Sequence, residues 1–505
     1  MTAVLVNSQR KSLAPYIFDT VEYYPHQIEG IRKLARMQNF LLADDMGLGK
    51  SLQALTVAAI DVKRQWASKI LVVAPVSLKG NWSDEIEKFT TFKYMVLGQE
   101  LELGRGGHPD KIKKLGPADR EKQLDFFGNL QGPKILITNY EQIDPHLTRL
   151  NKMGFDIIIY DEAHYIKNYK SKRTKACIKL NAGRHFLLTG TPMLNHVNEL
   201  WPLLHKIDPS GYPKYWGFIQ RYAVFGGYKN KQITGVKNEK ELTERLQAVM
   251  VRRMKKDVLD LPDVQIIQRK VDLTPEQRVI YDELIENLRI EMVGLDDPSE
   301  VDNALTKFLR LKQICGTTLP FNGKDISSKL DLVIEDSIEL LMPYKGHERP
   351  KLIVYSQFRD VIECYAQRLD KAASHIDIWE LHGSVPTHLR SNLVKEWANH
   401  NGPGVIVANP TVAGIGLNMT ASRHGFFIDK LFTPGYNQQA IDRMHRIGAD
   451  RTQPVQITEY ICRSTIENRV EQILRTKKKL FGSIVDESDY KRKLIQALME
   501  RDDEE

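Results

Sequence analysis

The sequence predicts an α/β protein with two parallel-sheet domains and a mostly helical region between them. Two blocks of the chain, one before residue 196 and one after residue 345, alternate short apolar runs with helical patterns, whereas a helical pattern dominates between them. Buried strands that alternate with helices are typical of a parallel sheet covered on both faces. A chain of 505 residues is also too long for one ordinary core, so two or three domains are expected.

The bulk composition argues against several classes of protein. No apolar run approaches the length that spans a membrane, and the first ten residues lack the charged-then-apolar order of a secretory leader. The 4 cysteines lie far apart without Cys-x-x-Cys spacing, so we expect free thiols in a reducing compartment and no structural zinc. The net charge of +8 is a weak indication of a polyanionic partner.

A phosphate-binding loop is predicted where the first apolar run ends. The run Phe40–Ala43 fits a buried strand, Met46–Gly49 is a turn of small residues, and Lys50-Ser51 opens a long helical pattern. Two glycines let the backbone bend around an anion, and the N–H groups of the first helical turn point towards it. The lysine of such a loop reaches the terminal phosphates, and the serine holds Mg²⁺. The alternative is a plain strand-to-helix turn.

One position departs from the general pattern of these loops. The strict pattern has glycine five residues before Gly49, and this chain has Asp44 there. Ahead of the loop, residues 23–36 fit a helix with Pro25 near its start. The side-chain amide of Gln27 in this helix is a candidate for reading an adenine edge. The alternative for Gln27 is an exposed helix residue.

Other predicted strands also end in polar residues. Ser77 and Lys79 follow one strand, and Asp161-Glu162 follows the run Phe155–Tyr160. Open parallel sheets bind their ligands at the carboxyl ends of the strands. A carboxylate there, beside a phosphate loop, is placed to hold Mg²⁺, and an adjacent carboxylate orients the attacking water. The alternative is two acidic residues at an exposed strand end.

The region from 196 to about 345 interrupts the alternation of strands and helices. It contains the basic run Arg252–Lys256. Such a run is usually a solvated helix face, and contact with a phosphate backbone is an equal alternative here. Residues 101–130 are polar and rich in glycine, which predicts a surface excursion with its own helix.

The second block has no phosphate loop of its own, although apolar runs recur from Lys351 to Tyr460. One phosphate loop and two α/β domains suggest a nucleotide held in the cleft between them. The segment 439–446 is then a candidate for groups supplied by the second domain. Arg443 and Arg446 are three residues apart, so on a helix they share a face and can reach the γ-phosphate. The alternative is a surface salt-bridge helix.

Together these stretches resemble, in order, the motifs of the Swi/Snf-type ATPases of helicase superfamily two. The resemblance spans roughly residues 20 to 480 and depends most on two segments, Asp44–Ser51 and Asp442–Gly448. The phosphate loop of that family also has aspartate at the position of Asp44. The other matching segments are Ala74–Trp82, Thr138–Glu141, Asp161–His164, Leu188–Asn195, Val251–Pro262, Tyr355–Phe358 and Thr411–Asn418.

The resemblance implies two RecA-like lobes with a helical insertion between them and a C-terminal helical brace. The expected segments are an N-terminal arm over 1–20, the ATP-binding lobe over 21–195, a mostly helical protrusion and linker over 196–345, the second lobe over 346–463, and C-terminal helices with an acidic tail over 464–505. Little sequence lies outside the lobes, which favours a compact prokaryotic or viral enzyme. A monomer in the cytoplasm is expected, or in the nucleus of a eukaryote.

The resemblance also implies ATP hydrolysis with Mg²⁺. The expected catalytic residues are Lys50, Asp161, Glu162, Arg443 and Arg446, with Ser51 and Asp161 on the metal. The expected ATP-binding residues are Gln27, Asp45, Met46, Gly47, Leu48, Gly49, Lys50, Ser51 and Gly416.

The matching motifs further imply contacts with nucleic acid. The expected contact residues are Ser77, Lys79, Trp82, Thr138, Asn139, Tyr140, Ser356, Gln357, His382 and Thr411. Two positions depart from the family pattern. Ala449 stands where glutamine is common, near the nucleotide, and Asn409-Pro410 stands where a Ser/Thr-Lys pair is more usual among the DNA contacts of the second lobe.

By resemblance, the substrate is double-stranded DNA held through its phosphates, and the outcome is translocation that remodels forks, junctions or protein–DNA complexes. Two alternatives stay open. An RNA helicase would also carry Asp161–His164, but its usual last motif is absent and Asp442–Gly448 stands in its place. A non-catalytic DNA-binding scaffold is disfavoured because Lys50 and Glu162 are both present.

Overall fold

The computed structural model describes residues 15–99, 115–190, 197–226, 232–259, 263–291, 298–342, 351–413, 417–432, 434–446 and 453–469. The chain divides into two compact units after residue 260. Each unit has its own parallel sheet, so the predicted α/β class is confirmed. Among the described helices, none combines the length and the apolar character needed to cross a membrane.

The first unit contains nine strands and ten helices among its described residues. The strands are β1 Phe40–Leu42, β2 Lys69–Ala74, β3 Lys93–Val96, β4 Lys134–Asn139, β5 Phe155–Tyr160, β6 Ala182–Leu188, β7 Ala223–Gly226, β8 Gln232–Val236 and β9 Met250–Val251. The helices are α1 Pro25–Leu34, α2 Lys50–Lys63, α3 Lys79–Phe89, α4 Pro117–Asn129, α5 Ile143–Met153, α6 Lys172–Lys179, α7 Leu200–Ile207, α8 Tyr215–Tyr222, α9 Glu239–Val249 and α10 Lys255–Val258.

The sheet of the first unit has seven parallel strands in the order β3-β4-β2-β5-β6-β1-β9. Its central strands are apolar because helices cover both faces: every residue of β4 is buried, as are Ile157–Tyr160 of β5. β1 pairs with β6 in a register that places Leu42 opposite Leu188. The carboxyl ends of β1, β5 and β6 therefore meet at one edge of the sheet.

The second unit contains six strands and eight helices among its described residues. The strands are β10 Val264–Val271, β11 Lys351–Tyr355, β12 Asp377–Leu381, β13 Gly404–Ala408, β14 His424–Phe427 and β15 Val455–Cys462. The helices are α11 Pro275–Glu291, α12 Pro298–Gly316, α13 Leu319–Asn322, α14 Ser328–Leu341, α15 Arg359–Ala372, α16 Thr387–Asn399, α17 Pro410–Ala413 and α18 Pro434–Asp442. All six strands run parallel, in the order β10-β15-β14-β11-β13-β12.

The region predicted as a helical protrusion and linker is partly sheet. Its strand β9 adds to the first sheet beside β1, and β10 adds to the second sheet beside β15. β7 and β8 form a separate antiparallel hairpin. Apolar periodicity missed β9 because a two-residue strand is too short to show a period. The helix predicted within 101–130 is α4, whereas residues 1–14 and most of the predicted C-terminal helices and tail lie outside the described residues.

Four buried cysteines and one buried ion pair mark the interior of the two units. All 4 cysteines are unpaired and buried. Cys315, Cys462 and Glu467 approach one another, with candidate ligand atoms all within 4.8 Å. However, both carboxylate oxygens of Glu467 accept hydrogen bonds from the Lys329 ammonium, at 2.7 and 2.6 Å. The side chain of Lys329 is 0% exposed and that of Glu467 is 6% exposed, so the two charges neutralise each other inside the second unit.

Replacing Lys329 by Met should strongly destabilise the second unit, because it leaves the Glu467 carboxylate buried without a counter-charge. We expect the free energy of unfolding to fall by roughly 3–5 kcal/mol, as for other broken buried ion pairs. The double variant Lys329→Met/Glu467→Gln should recover most of this loss. Denaturant unfolding followed by circular dichroism measures the effect, with the exposed Lys371→Met as control. Equal effects of Lys329→Met and Lys371→Met would contradict the prediction.

Candidate functional site

The first sheet edge begins with a glycine loop between β1 and α2. Gly47 and Gly49 have φ angles of 83° and 75°, a region that favours glycine. At Gly49 the surroundings also require glycine, because a Cβ there would lie 2.4 Å from Nε2 of Gln27. Gly49 is the residue that precedes the first turn of α2. The glycines that the sequence pattern singled out are therefore needed for the path of this loop.

Lys50 lies inside this loop. Its ammonium donates to the backbone carbonyl oxygens of Asp44, at 2.8 Å, and of Asp45, at 3.3 Å. Ser51 follows as the second residue of α2 and is half-buried. A cationic side chain and the N-terminus of a helix thus occupy one short loop. Both favour an anion, and the backbone N–H groups at a helix N-terminus are suited to phosphate oxygens.

The loop is held from outside by α1. Nε2 of Gln27 donates to the carbonyl oxygen of Leu48 at 3.1 Å, and Nε2 of His26 lies 3.3 Å from the same oxygen. Gln27 is only 3% exposed, so the alternative that it is an exposed helix residue is wrong. Burial lowers the pKa of His26, which keeps this ring neutral beside the loop.

Asp161 directly follows β5 and is fixed by three hydrogen-bond donors, which come from α3, from the residue after β4 and from the adjacent Glu162. Its Oδ2 accepts a hydrogen bond from the indole N–H of Trp82 at 2.8 Å, and its Oδ1 accepts one from the backbone N–H of Glu162 at 3.0 Å. The Tyr140 hydroxyl donates to the Asp161 carbonyl oxygen at 2.7 Å. Burial and the Glu162 charge raise the pKa of Asp161 to about 6, and the nearby Lys50 ammonium opposes this rise.

Glu162 has a strained backbone. Its φ of 49° lies in the left-handed region, which is uncommon for a residue with a side chain and is often found at functional sites. Its Oε2 lies 3.2 Å from Nδ1 of His164, which is 3.3 Å from the Thr189 hydroxyl after β6. The Glu162 carboxylate therefore lies close to the end of β6, the neighbouring strand.

The end of β6 also closes against the glycine loop. A Cβ placed on Gly190 would lie 3.1 Å from Cγ of Met46 and 3.7 Å from Nζ of Lys50. The sheet edge thus brings together Lys50, Asp161 and Glu162, which the sequence predicted to act together. It forms a compact polar group of one cation and two carboxylates beside a helix N-terminus.

Six of the ten predicted nucleic-acid contacts have side chains that the structure buries. Lys79 donates to the Leu97 carbonyl oxygen at 2.9 Å, and burial lowers its pKa to about 8. Trp82 is bound to Asp161 and is 2% exposed. The other predicted contacts with buried side chains are Thr138, Asn139, Tyr140 and Ser356. These side chains pack inside the first and second units in this structure, and contact of these residues with nucleic acid stays a prediction.

The remaining predicted contacts, Ser77, Gln357, His382 and Thr411, are half-buried. Two of them are organised by Asn409, one of the departures from the family pattern. Its Nδ2 donates to the Gln357 carbonyl oxygen at 2.9 Å, and its Oδ1 accepts from the Thr411 backbone N–H at 3.0 Å. Asn409 therefore precedes and caps α17, whose first residue is Pro410, as these two residue types prefer.

The prediction that Arg443 and Arg446 share a helix face is wrong. The helix α18 ends at Asp442, so both arginines follow it in a turn. Arg443 is 9% exposed, and its carbonyl oxygen accepts from the Met419 backbone N–H at 3.1 Å. A helix periodicity argument fails here because the helix stops before the arginines. Gly416 lies outside the described residues.

The sequence left two alternatives for the basic run Arg252–Lys256, a solvated helix face or a contact with a phosphate backbone. The structure shows where its side chains lie. Arg253 pairs with the fully buried Asp44, and Lys255 is 7% exposed, whereas Arg252 and Lys256 are exposed. The run is therefore not a uniformly solvated face. Sequence patterns missed the link between Arg253 and Asp44 because the two residues are 209 positions apart. The departure of Asp44 from glycine was the one available indication.

Two known domain families match this chain, one after the other along the sequence. The SNF2-related domain matches residues 26–318, which is more than half of the chain, and the helicase conserved C-terminal domain matches residues 333–448. A relative from Bacillus subtilis (strain 168), the putative ATP-dependent helicase/translocase YwqA, is 27% identical over 89% of this chain and 47% of its own length. The DNA annealing helicase and endonuclease ZRANB3 of Mus musculus is 27% identical over 91% of this chain and 40% of its own length.

This chain spans less than half the length of these curated relatives. Among solved structures, the Sulfolobus solfataricus SWI2/SNF2 ATPase core in complex with dsDNA is 25% identical, covers 94% of both chains and has a TM-score of 0.42.

Replacing Asp161 by Asn should stabilise the protein at neutral pH. The folded-state pKa of about 6 exceeds the unfolded value of roughly 3.9, so the contribution of Asp161 to stability is present below about pH 4 and is lost as pH rises through 6. We expect Asp161→Asn to raise the free energy of unfolding by roughly 1–2 kcal/mol at pH 7.5. The gain should shrink towards pH 5. Thermal unfolding from pH 5 to 8 measures it, and a pH-independent difference would contradict the raised pKa.

Proposed function

This chain belongs to the SNF2-related family of helicase-like ATPases, and we propose that it hydrolyses ATP in order to translocate along double-stranded DNA. The observation that carries the proposal is the arrangement at the first sheet edge. Lys50 inside a glycine loop lies beside Asp161 and Glu162, so phosphate binding and water activation fall at one place. Remodelling of forks, junctions or protein–DNA complexes is the outcome that we propose for this movement.

The residues of this edge have distinct proposed roles towards ATP. Lys50 and the N-terminus of α2 bind the terminal phosphates. Asp161 and the Ser51 hydroxyl would hold Mg²⁺, and both offer the oxygen ligands that this ion prefers. The hydrogen bonds from Trp82 and from the Glu162 backbone already fix the Asp161 carboxylate. Bound Mg²⁺ neutralises charge on the phosphate oxygens.

Glu162 is the residue that we propose orients the attacking water. Its carboxylate lies beside Asp161, and one of its oxygens lies 3.2 Å from Nδ1 of His164. Arg443 and Arg446 of the second unit are proposed to stabilise charge on the γ-phosphate in the transition state, the role of arginine fingers. Gln27 is proposed to contact the adenine after exchanging its present bond to the Leu48 carbonyl oxygen.

Two observations support nucleic acid as the polymer along which the protein moves. Two of the relatives are named as a helicase/translocase and as a DNA annealing helicase. In this chain, the segment Lys167–Lys175 carries five cations and no acidic residue, directly after Asp161–His164. We propose this segment, called the basic segment below, as a contact with DNA phosphates, in addition to the residues that the motifs suggested.

The basic segment keeps part of its charge available. Lys167 pairs with Glu199 at 3.1 Å, and Arg173 pairs with Glu141 at 2.7 Å. Lys170, Lys172 and Lys175 are exposed, and no carboxylate pairs with them within the described part of the chain. Ser171 caps α6 by accepting from the Thr174 backbone N–H at 3.2 Å. A capped helix start thus presents three lysines near the edge that holds Lys50.

The proposed ATPase should depend on duplex DNA and on Lys50. Steady-state hydrolysis is measured for the wild type and for Lys50→Ala with no nucleic acid, duplex DNA, single-stranded DNA or RNA. We expect duplex DNA to stimulate the wild type most, and Lys50→Ala to lose about 10²-fold or more of the rate, because a phosphate-binding charge is removed. Stimulation by RNA alone would overturn duplex DNA as the proposed polymer. Absence of hydrolysis under all conditions would favour a non-catalytic scaffold.

The triple variant Lys170→Ala/Lys172→Ala/Lys175→Ala should weaken duplex binding without weakening ATP binding. Removing up to three phosphate contacts should reduce the slope of log K against log salt by up to about 3 and lower the affinity roughly 10- to 100-fold. The matched control is Lys63→Ala/Lys152→Ala/Lys179→Ala. These exposed lysines lie at the C-terminal ends of α2, α5 and α6, towards the opposite sheet edge. Equal losses in both triple variants would contradict a specific surface.

A further inference from the structure

The glycine loop of the first unit is tied to a segment some 200 residues later in the chain. β9 runs parallel to β1, and the Ala43 backbone N–H donates to the Val251 carbonyl oxygen at 2.7 Å. The pairing continues past the strand: the Asp45 backbone N–H donates to the Arg253 carbonyl oxygen at 3.0 Å. The segment 250–255 therefore follows the loop residue by residue as far as Asp45.

Arg253 adds a side-chain connection to this backbone pairing. Its Nε donates to Oδ1 of Asp44 at 3.0 Å, and its Nη2 donates to Oδ2 of Asp44 at 2.6 Å. This is the bidentate geometry in which a guanidinium fixes a carboxylate most firmly. Nη2 also donates to Oε1 of Gln53 at 2.8 Å, and Nη1 donates to the His26 carbonyl oxygen. One guanidinium thus joins α1, α2 and the start of the loop.

The surroundings of Asp44 leave no substitute for this partner. Asp44 is 0% exposed, and besides Arg253 its carboxylate accepts from Nε2 of Gln53 at 3.1 Å. An unpaired carboxylate at such a position would carry a large desolvation cost. Space is also matched to the arginine: a Cβ on Gly30 would lie 2.5 Å from Nη2 of Arg253. A glycine inside α1 therefore makes room for the guanidinium.

The pair also determines where the lysine of the loop points. The carbonyl oxygen of Asp44 accepts from the Lys50 ammonium at 2.8 Å, so the peptide that carries the buried carboxylate also holds Lys50. On the other side, Oδ2 of Asp45 accepts from the Lys255 backbone N–H at 3.0 Å. Any shift of the segment 250–255 must therefore move Asp44 and Asp45, and with them the anchor of Lys50.

We propose that Arg253 is a positioning residue that sets the shape of the phosphate loop through its bidentate bond to Asp44. In this way it couples the loop to the segment by which the chain leaves the first unit. The inference rests on the proposed ATP-binding function of the loop and deepens it. Asp44 stands where the general pattern of phosphate loops has glycine, and Arg253 neutralises its charge. Arg252, the adjacent exposed arginine, has no such role.

The test compares Arg253→Lys, Arg253→Ala and the matched control Arg252→Ala. Lysine retains the positive charge but cannot donate two parallel hydrogen bonds to one carboxylate. Arg253→Lys should therefore retain most of the thermal stability. It should still weaken binding of a fluorescent ATP analogue by roughly 10- to 100-fold, which is the range for lost charged hydrogen bonds. The same variant should raise the KM for ATP more than it lowers kcat. Arg252→Ala should match the wild type in both measurements. An unchanged ATP affinity in Arg253→Lys would overturn the proposal.

A double variant separates positioning from folding. Arg253→Ala leaves Asp44 buried without a counter-charge and should lower the melting temperature. Adding Asp44→Asn removes that charge, so Arg253→Ala/Asp44→Asn should regain melting temperature without regaining ATP affinity. Recovery of both together would show a merely structural role and overturn the proposal.

Hydrogen exchange distinguishes failure of this inference from failure of the proposed function. It needs no nucleotide: Arg253→Lys should accelerate exchange of backbone amides in both 43–51 and 250–255, whereas Arg252→Ala should not. If the wild type bound no ATP and this acceleration were still seen, the proposed function would fail and the coupling would stand. If the wild type bound ATP and exchange were unchanged in Arg253→Lys, the coupling would fail and the proposed function would stand.

Discussion

A carboxylate buried away from solvent needs an adjacent positive charge. In this protein, that carboxylate belongs to Asp44, the residue that begins the phosphate loop. Asp44 is enclosed between β1 and α2, so the chain has to bring a cation to it. Arg253 arrives on a segment that pairs with β1 and then follows the loop. The seventh strand of the sheet, the glycine in α1 and the anchor of Lys50 all accommodate this one pair.

The positions of the other residues of the candidate site follow from the parallel arrangement of the strands. Parallel strands end at one edge, so residues far apart in sequence meet there without any long connection between them. This explains why Lys50, Asp161 and Glu162 converge, and why Thr189 and Gly190 pack against the same group. It also explains why this edge contains buried polar side chains. Trp82 in α3 donates a hydrogen bond to the Asp161 carboxylate, and Tyr140 after β4 donates one to its carbonyl oxygen.

The sequence predicted the parts of this site that a local pattern specifies. Apolar runs located the central strands, and glycine spacing located the loop, because each depends on neighbouring residues only. The features that the sequence did not show share a different cause. Trp82 lies in a polar stretch of sequence, yet its side chain is buried and its indole N–H donates to Asp161, 79 positions away. Arg443 and Arg446 follow the end of a helix that a periodic pattern continued too far. The partner of Asp44 depends on strand pairing across the whole unit, which no local pattern records.

The buried cysteines have a practical consequence for measuring motion. All 4 native cysteines are buried, and burial raises the pKa of Cys177 to about 12 and that of Cys364 to about 11. Maleimide reagents must reach the thiolate, so buried thiols should resist labelling at neutral pH. New cysteines at exposed positions, such as Lys152→Cys in the first unit and Lys371→Cys in the second, can then carry a donor and an acceptor fluorophore. The distance between the two units can be followed during turnover without first constructing a cysteine-free protein.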